Sequence, residues 1–398
     1  MIPRLDVAVN PPGCDPLGEP DRVKDAVLRL PASCRAGVVD RAGLICTQIQ
    51  GGITNRLYKV DCDATPLLVR VYGEGSENFI DRNVDEAVFA ELTGLSFGVN
   101  LIATLQDGRI EQFFEGGRTL EPDDLCKPAL SKLIAGRMCE MHSLAVTSCI
   151  PTALEETSQQ NFVKRTRVSE TPENPPTPVL VNKLKEWYGI AIGITFDSSE
   201  SADEKERRKA DQYAALPLKN IGLDIESTIV ARVMCIPSPT VFCHNDLLAG
   251  NILVRGADET DIVFVDVEYA AYNPRGFDIG NHFCEFSGFD YSKFAQKYPS
   301  KDMQMVFLKS YLARQREIGR HQSDGAAVSS AGESKDEDAE LESLYHECNA
   351  YALASHLFWG LWAVIQGRNS VVEFDYLKYA QARFDAYFAE KIKIFGED

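Results

Sequence analysis

Val241-Phe242-Cys243-His244-Asn245-Asp246-Leu247-Leu248-Ala249-Gly250-Asn251 runs from an apolar stretch into a polar loop, and Asn251-Ile252-Leu253-Val254-Arg255 and Asp261-Ile262-Val263-Phe264-Val265-Asp266 follow it. Short runs rich in β-branched and aromatic residues, bounded by polar turns, predict strands. An Asp, an Asn five residues later and a second Asp after a β-hairpin have the layout of a phosphoryl-transfer loop with its metal site. One carboxylate must orient an attacking hydroxyl and take its proton, and Asp246 is the candidate base. A second carboxylate and an amide oxygen suit Mg²⁺, a hard ion that prefers oxygen ligands, so Asn251 and Asp266 are the candidate ligands. His244 is expected to brace the loop. Such a pattern also arises by chance in loops; its setting between strands, with the second Asp in place, is what gives it weight.

Working outward toward the N-terminus, Ile45-Cys46-Thr47-Gln48-Ile49-Gln50, Arg56 to Cys62, Pro66 to Tyr72, Asn100 to Leu105 and Arg109 to Phe114 read as five strands, with a helix over Asp81–Gly94. Asp107-Gly108 marks a hairpin. One helix within a five-stranded antiparallel sheet is the simplest assembly. Gly51-Gly52-Ile53-Thr54-Asn55 can bring main-chain N–H groups close to phosphates, although most such pairs are plain turns. Arg70 lies on the third strand, where protein kinases place a phosphate-binding Lys. Asp85 or Glu86 is its expected ion-pair partner. Gln112 to Phe114 lie where a hinge would meet adenine through main-chain donors.

Toward the C-terminus the pattern becomes helical. Leu130, Leu133, Ile134, Met138, Met141 and Leu144 form an apolar stripe. Residues 151–180 read as loop, 197–212 as a solvated charged face or loop, and 322–340 as a disordered insertion. The organisation expected is α+β: an N-terminal extension (1–40), a small sheet lobe (41–116) and a larger, mostly helical lobe (117–398).

Lys and Arg number 41 against 59 Asp and Glu, a formal net charge of −18. That argues against nucleic acid and anionic membranes as partners. The eleven cysteines make no CxxC pair, and the N-terminus has no basic-then-apolar leader pattern. Tyr351–Ile365 is too short to span a bilayer and reads as a buried helix. A cytoplasmic protein is the expectation.

The same residues carry a family likeness. VFCHNDLLAGN (241–251), FVDVEYAAYNPRGFDIGNHFCEF (264–286), ALASHLFWGLWAVIQ (352–366) and YAQARFDAYF (379–388) resemble the motifs of choline/ethanolamine kinases, over roughly residues 45 to 390. The resemblance implies a protein-kinase-like two-lobed fold, ATP and Mg²⁺ as cofactors, a small amino alcohol as substrate, and a product bound for phospholipid synthesis. It implies that Asp246 is the base and that Asn251 and Asp266 bind Mg²⁺. Gly52, Thr54, Asn55, Arg70, Gln112 and Phe114 would serve the nucleotide, with Thr54 and Asn55 in the phosphate-covering loop. Asp246, Tyr269, Glu285, Trp359, Trp362, Phe374 and Tyr379 would contact the amine. Aromatic faces attract a cation by about 0.5–2 kcal/mol each, and Trp359 and Trp362, three residues apart, share a helix face. Two such tryptophans more commonly just pack a core.

Leu248, where choline kinases typically carry Gln, the GITN turn (52–55) and CEFSG (284–288) are similar to ethanolamine kinases. Gly51-Gly52 and Arg275-Gly276 lean toward choline kinases. Ethanolamine is the expected acceptor, with choline or both amines as the alternative. A pseudokinase scaffold is disfavoured by intact Asp246, Asn251 and Asp266. A protein kinase is disfavoured because Asp266-Val267-Glu268 replaces DFG. Oligomeric state is left open, a homodimer included.

Overall fold

The computed structural model describes residues 2–11, 15, 18–31, 34, 40–49, 55–62, 65–73, 79–150, 176–199, 203–256, 258–322, 333–370 and 372–396. Two compact units emerge. The first comprises Met1–Thr119, Val146–Cys149 and Leu253–Tyr269; the second comprises Leu120–Ala145, Ile150–Ile252 and Ala270–Asp398.

In the first unit, strands β1 (Ile45–Ile49), β2 (Asn55–Asp61), β3 (Leu67–Tyr72), β4 (Leu101–Thr104) and β5 (Gly108–Gln112) form one antiparallel sheet in the order β1-β2-β3-β5-β4. Helix α1 (Glu19–Leu28) precedes the sheet, and α2 (Arg82–Gly94) joins β3 to β4. The Asp81 side chain starts α2 by accepting from the Asn83 and Val84 N–H groups, and Val88, Phe89 and Leu92 are its buried face. The segment read as an N-terminal extension packs into this unit. Val9, Val23, Ala26 and Val27 are fully buried in one core with Val60, Val69, Val71 and Ile110. A second small sheet joins β6 (Arg118–Thr119), β8 (Ile252–Arg255) and β9 (Asp261–Phe264). It delivers the chain to Asp266.

The second unit holds α3 (Pro128–His142), α4 (Leu180–Gly193), α5 (Glu204–Ala215), α6 (Leu218–Asp224), α7 (Arg275–Cys284), α8 (Phe294–Lys297), α9 (Lys301–Gln322), α10 (Glu333–Asn369) and α11 (Tyr376–Phe395). A π-helical segment, Ile225–Val233, continues α6. A two-stranded ribbon pairs β7 (Thr240–Cys243) with β10 (Ala271–Pro274). The periodicity did not reveal β10. Its Tyr272-Asn273-Pro274 composition is a poor strand signal, and pairing with β7 overrides it.

Helix α10 is the axis of this unit. A Cβ on Gly280 would lie 2.4 Å from the Cys348 carbonyl oxygen, and one on Gly360 would lie 2.3 Å from the Phe384 ring. Glycine at these two positions lets α7 and α11 press against α10. By length and composition α10 could cross a membrane, but 94% of its most apolar window is buried inside the fold. Helix α5 buries none of its residues, as its charge density predicts. The expected insertion over 322–340 lies partly outside the described residues; from Glu333 onward the chain is already helical. Most of the expected loop over 151–180 also lies outside them.

Candidate active site

The second unit carries the His244–Asn251 loop, and its anchor is a side chain that the spacing rules did not identify. Asp278 on α7 is fully buried. Its Oδ2 accepts from the His244 N–H at 2.9 Å and its Oδ1 from the Asn245 N–H at 2.7 Å. His142, at the end of α3, places Nε2 2.9 Å from Asp278 Oδ2 and Nδ1 2.9 Å from the Tyr311 hydroxyl. Burial works against the Asp278 charge, but the bonds and charges of His142 and His244 outweigh it and hold the carboxyl below its ordinary range. An ionised carboxylate only accepts, so Nε2–H donates to it. With both ring nitrogens and both carboxylate oxygens engaged, the His142–Cys243–Asp278 group is a brace, although its spacing would suit a metal.

Asn245 stands at φ 65°, in the left-handed region. Asn tolerates that region better than most side chains, and such strain persists only where the surroundings fix it. Here they do: Asn273 Nδ2 donates to Asn245 Oδ1 at 2.9 Å, and Asn281 Nδ2 donates to its carbonyl at 3.1 Å. The turn presents Asp246, which is only partly buried. Asn251 Nδ2 donates to the Asp246 carbonyl at 2.8 Å and to its Oδ2 at 3.1 Å. The amide is thereby oriented, and Asn251 Oδ1 accepts no bond from any described residue. A hard cation would find an available oxygen there, so the donor set fits Mg²⁺.

His282, one turn beyond Asp278, points Nδ1 at the Leu247 carbonyl, 2.8 Å away. Burial lowers its pKa to about 4. The imidazole therefore stays neutral in the folded chain, while the unfolded one protonates below about 6.5. Stability is intact above that pH and falls as pH drops from about 6.5 to 4, by about 3 kcal/mol at the lower end. Urea melts at pH 7 and 5 should show this loss, and His282→Gln should reduce it, leaving the part due to His356, whose pKa burial also lowers; an equally steep loss in the variant would exclude His282 as a source.

Four of the residues named for the amine pocket gather in an aromatic cluster, joined by Tyr376. Ring centroids are 5.5 Å apart for Trp359–Trp362, 5.8 Å for Trp362–Tyr376, 4.9 Å for Phe374–Tyr376 and 5.7 Å for Phe374–Tyr379. Trp359 Nε1 donates to Asn281 Oδ1 at 2.8 Å, and the Ser355 hydroxyl donates to the same oxygen at 2.7 Å. Asn281 thus ties this cluster to the loop through Asn245. Burial raises the Tyr379 phenol above its ordinary range; against the lowering effect of Arg383, the charges of Glu285 and Asp246 push the same way as burial. Glu285 is 5% exposed and bonded to Arg383, so its charge is compensated within the protein. Any long-range attraction that Glu285 exerts on a cation is correspondingly weakened.

The first unit holds Arg70, Asp266, Asn55, Gln112, Phe114 and Tyr269. The β3–β5 register sets Arg70 opposite Arg109, a like-charge pairing that is unfavourable unless an anion intervenes. Glu111 intervenes. Its Oε1 accepts from Arg70 Nε at 2.9 Å and from Arg109 Nε at 2.6 Å. Burial opposes its charge, but the two guanidiniums win and hold its carboxyl below the ordinary range. Arg109 also donates to Asp85 at 2.8 Å, and Arg70 Nη1 reaches Asp266 Oδ1 at 3.1 Å. This corrects the expected pairing: the carboxylate on α2, Asp85, goes to Arg109 and Arg82, and Glu111 on β5 takes Arg70.

Asp266 stands at φ 62° with its side chain 25% exposed. Nearby Glu268 accepts from Arg82 at 3.0 Å. Burial and the charge of Asp266 raise the Glu268 pKa. Two carboxylates that oppose each other's ionisation would be relieved by a divalent cation. Asn55 bonds Glu268 and the Gly73 N–H, each at 3.4 Å. At the expected hinge the Gln112 N–H is spent on Asn100 and that of Phe113 on Pro66. Among the described residues, the Phe114 N–H alone of the three is left for a nucleotide base. Gly52 and Thr54 lie outside the described residues.

Comparison with known proteins gives one consistent picture. The sequence profile described as choline/ethanolamine kinase matches residues 46–388. A probable ethanolamine kinase A of Dictyostelium discoideum is 32% identical over 354 residues, 87% of this chain and 85% of that one. Choline kinase alpha of Mus musculus is 31% identical over 385 residues, 87% of this chain and 75% of the relative. The solved structure of an ethanolamine kinase from Plasmodium vivax superposes with a TM-score of 0.68 at 22% identity, covering 94% of this chain and 95% of that one, which confirms the two-lobed kinase-like fold.

Proposed function

The chain belongs to the choline/ethanolamine kinase family, and from that premise we propose that it transfers the terminal phosphoryl group of ATP to the hydroxyl of a small amino alcohol, with ethanolamine preferred. Asp246 takes the proton of the attacking hydroxyl. Its Oδ2 is held by Asn251 Nδ2–H at 3.1 Å, which fixes the carboxylate before substrate arrives. Asn251 and Asp266 would hold Mg²⁺, which supplies positive charge against the phosphate oxygens. Arg70, Asn55 and Phe114 serve the nucleotide together with the Gly52–Thr54 turn, while Gln112, its N–H spent on Asn100, has no main-chain donor to offer. Trp359, Trp362, Phe374, Tyr379 and Tyr269 offer faces to the ammonium.

The observation that carries this reading lies within one unit: an oriented, part-exposed Asp246 is tied through Asn245 and Asn281 to the ring of Trp359. Ethanolamine is favoured by Leu248, by Phe286-Ser287-Gly288 and by the Thr54-Asn55 turn. The second reading, choline or both amines, is favoured by nearly equal identity to an ethanolamine kinase and a choline kinase.

Steady-state assays with Mg-ATP should give a higher kcat/KM for ethanolamine than for choline; a reversed order would leave the phosphotransferase and replace its substrate. Trp362→Ala should raise KM for the amine by about tenfold while leaving KM for ATP within about twofold, because losing a desolvated cation–π face removes up to about 2 kcal/mol. Equal changes in both constants would remove Trp362 from the pocket.

A further inference from the structure

Arg383 lies fully buried on α11, and no site so far described gives it a role in the reaction. Its Nε and Nη2 both donate to the one oxygen of Tyr379, at 2.9 and 2.7 Å. Nη2 also donates to Glu285 Oε1. The guanidinium carbon sits 4.7 Å from the Phe294 ring centroid, which holds the fork in place. A hydroxyl oxygen has two acceptor positions. Two N–H bonds fill both, so Tyr379 can offer an ammonium its ring but not its oxygen. The guanidinium also cancels the Glu285 charge.

Of the six residues of this unit named for the pocket, Asp246, Tyr379 and Glu285 carry acceptors, and Asp246 is the one assigned to the substrate hydroxyl; Trp359, Trp362 and Phe374 have none. We propose that Arg383 is a specificity-determining residue that acts through Tyr379 and Glu285. It withdraws the tyrosine oxygen and the net carboxylate charge, so the pocket meets an ammonium mainly with ring faces and grades amines by size rather than by their N–H count. Beside the Asp246 carboxylate, Glu285 Oε2 is the acceptor that remains among these six described residues of this unit. The proposal rests on the amine-pocket reading above. It implies that N-methylated ethanolamines are accepted, with efficiency falling gradually as methyl groups are added.

The contrast is with a site whose buried acceptors need N–H donors, which rejects a ligand lacking them by orders of magnitude. The test measures kcat/KM for ethanolamine, N-methylethanolamine, N,N-dimethylethanolamine and choline. It compares wild type with Tyr379→Phe and with the charge-neutral double variant Arg383→Met/Glu285→Gln. In wild type each added methyl should change kcat/KM by less than about tenfold. Tyr379→Phe should lower all four values by one common factor, within about twofold, since no substrate N–H bond is lost. The double variant, its fold checked by near-ultraviolet circular dichroism, frees the Tyr379 oxygen and should raise the ethanolamine-to-choline ratio at least about fivefold. A Tyr379→Phe loss about tenfold larger for ethanolamine than for choline would overturn the proposal, as would an unchanged ratio in the folded double variant. If the double variant fails to fold, the Tyr379→Phe comparison still decides. A wild type inert toward all four amines overturns the pocket reading and this proposal with it; an active wild type with either contrary ratio overturns this proposal alone.

Discussion

Asp246→Ala is expected to lower kcat by about 10²-fold or more, with KM for the amine and for ATP changing far less. General-base contributions of positioned carboxylates lie in the range of about 10²–10⁴. The loop backbone survives this substitution, because its anchors are the His244 and Asn245 N–H groups on Asp278 rather than the Asp246 side chain. Asn251 loses one of two acceptors and keeps the carbonyl. The loss therefore falls on proton removal and hydroxyl orientation, and the melting temperature should stay close to wild type. Near-normal turnover would remove Asp246 from the mechanism.

Asp278→Ala should act on both stability and activity. It strands two main-chain N–H groups and the His142 ring in a fully buried position, and the expected loss is about 3–5 kcal/mol. The left-handed Asn245 would lose the bond that helps hold it, and Asp246 with it would shift. A displacement of about 1 Å at a reacting group can cost about 10²-fold in rate. Asp278→Asn tests the same point more gently, since its amide nitrogen faces N–H donors that need an acceptor. Denaturant melts combined with kcat measurements check this. Wild-type stability in both variants would mean that the loop is held by other contacts.

Much of the fold could be read from the residues because the pattern and the packing agree. β-Branched runs such as Leu67–Tyr72 became strands, and the capped run from Asp81 became a helix. The loop of the candidate site was legible for a different reason: proton transfer and hard-cation binding demand few residue types at narrow spacing. The supporting residues were not legible. Asp278 sits in Phe277-Asp278-Ile279-Gly280-Asn281, where only its isolation among buried neighbours hints at a role. The roles of Glu111 and Arg109 were not legible either, because alternation along β5 cannot show that a second arginine lies directly across the register. Arg383 shares α11 with Lys378, Lys391 and Lys393, and only three dimensions reveal that its acceptors are two residues proposed for the pocket. The expectation that Asp85 or Glu86 pairs with Arg70 failed on the same ground. Helix position was inferred correctly, but side-chain pairing depends on cross-strand neighbours that the linear sequence separates.

The most direct test is ³¹P nuclear magnetic resonance of the full-length protein with Mg-ATP and ethanolamine, repeated with choline. Stoichiometric appearance of ADP and a phosphomonoester of ethanolamine, formed faster than that of choline and absent with Asp246→Ala, is the expected result. An intact ATP spectrum, or hydrolysis to inorganic phosphate with no phosphomonoester from either amine, would contradict it.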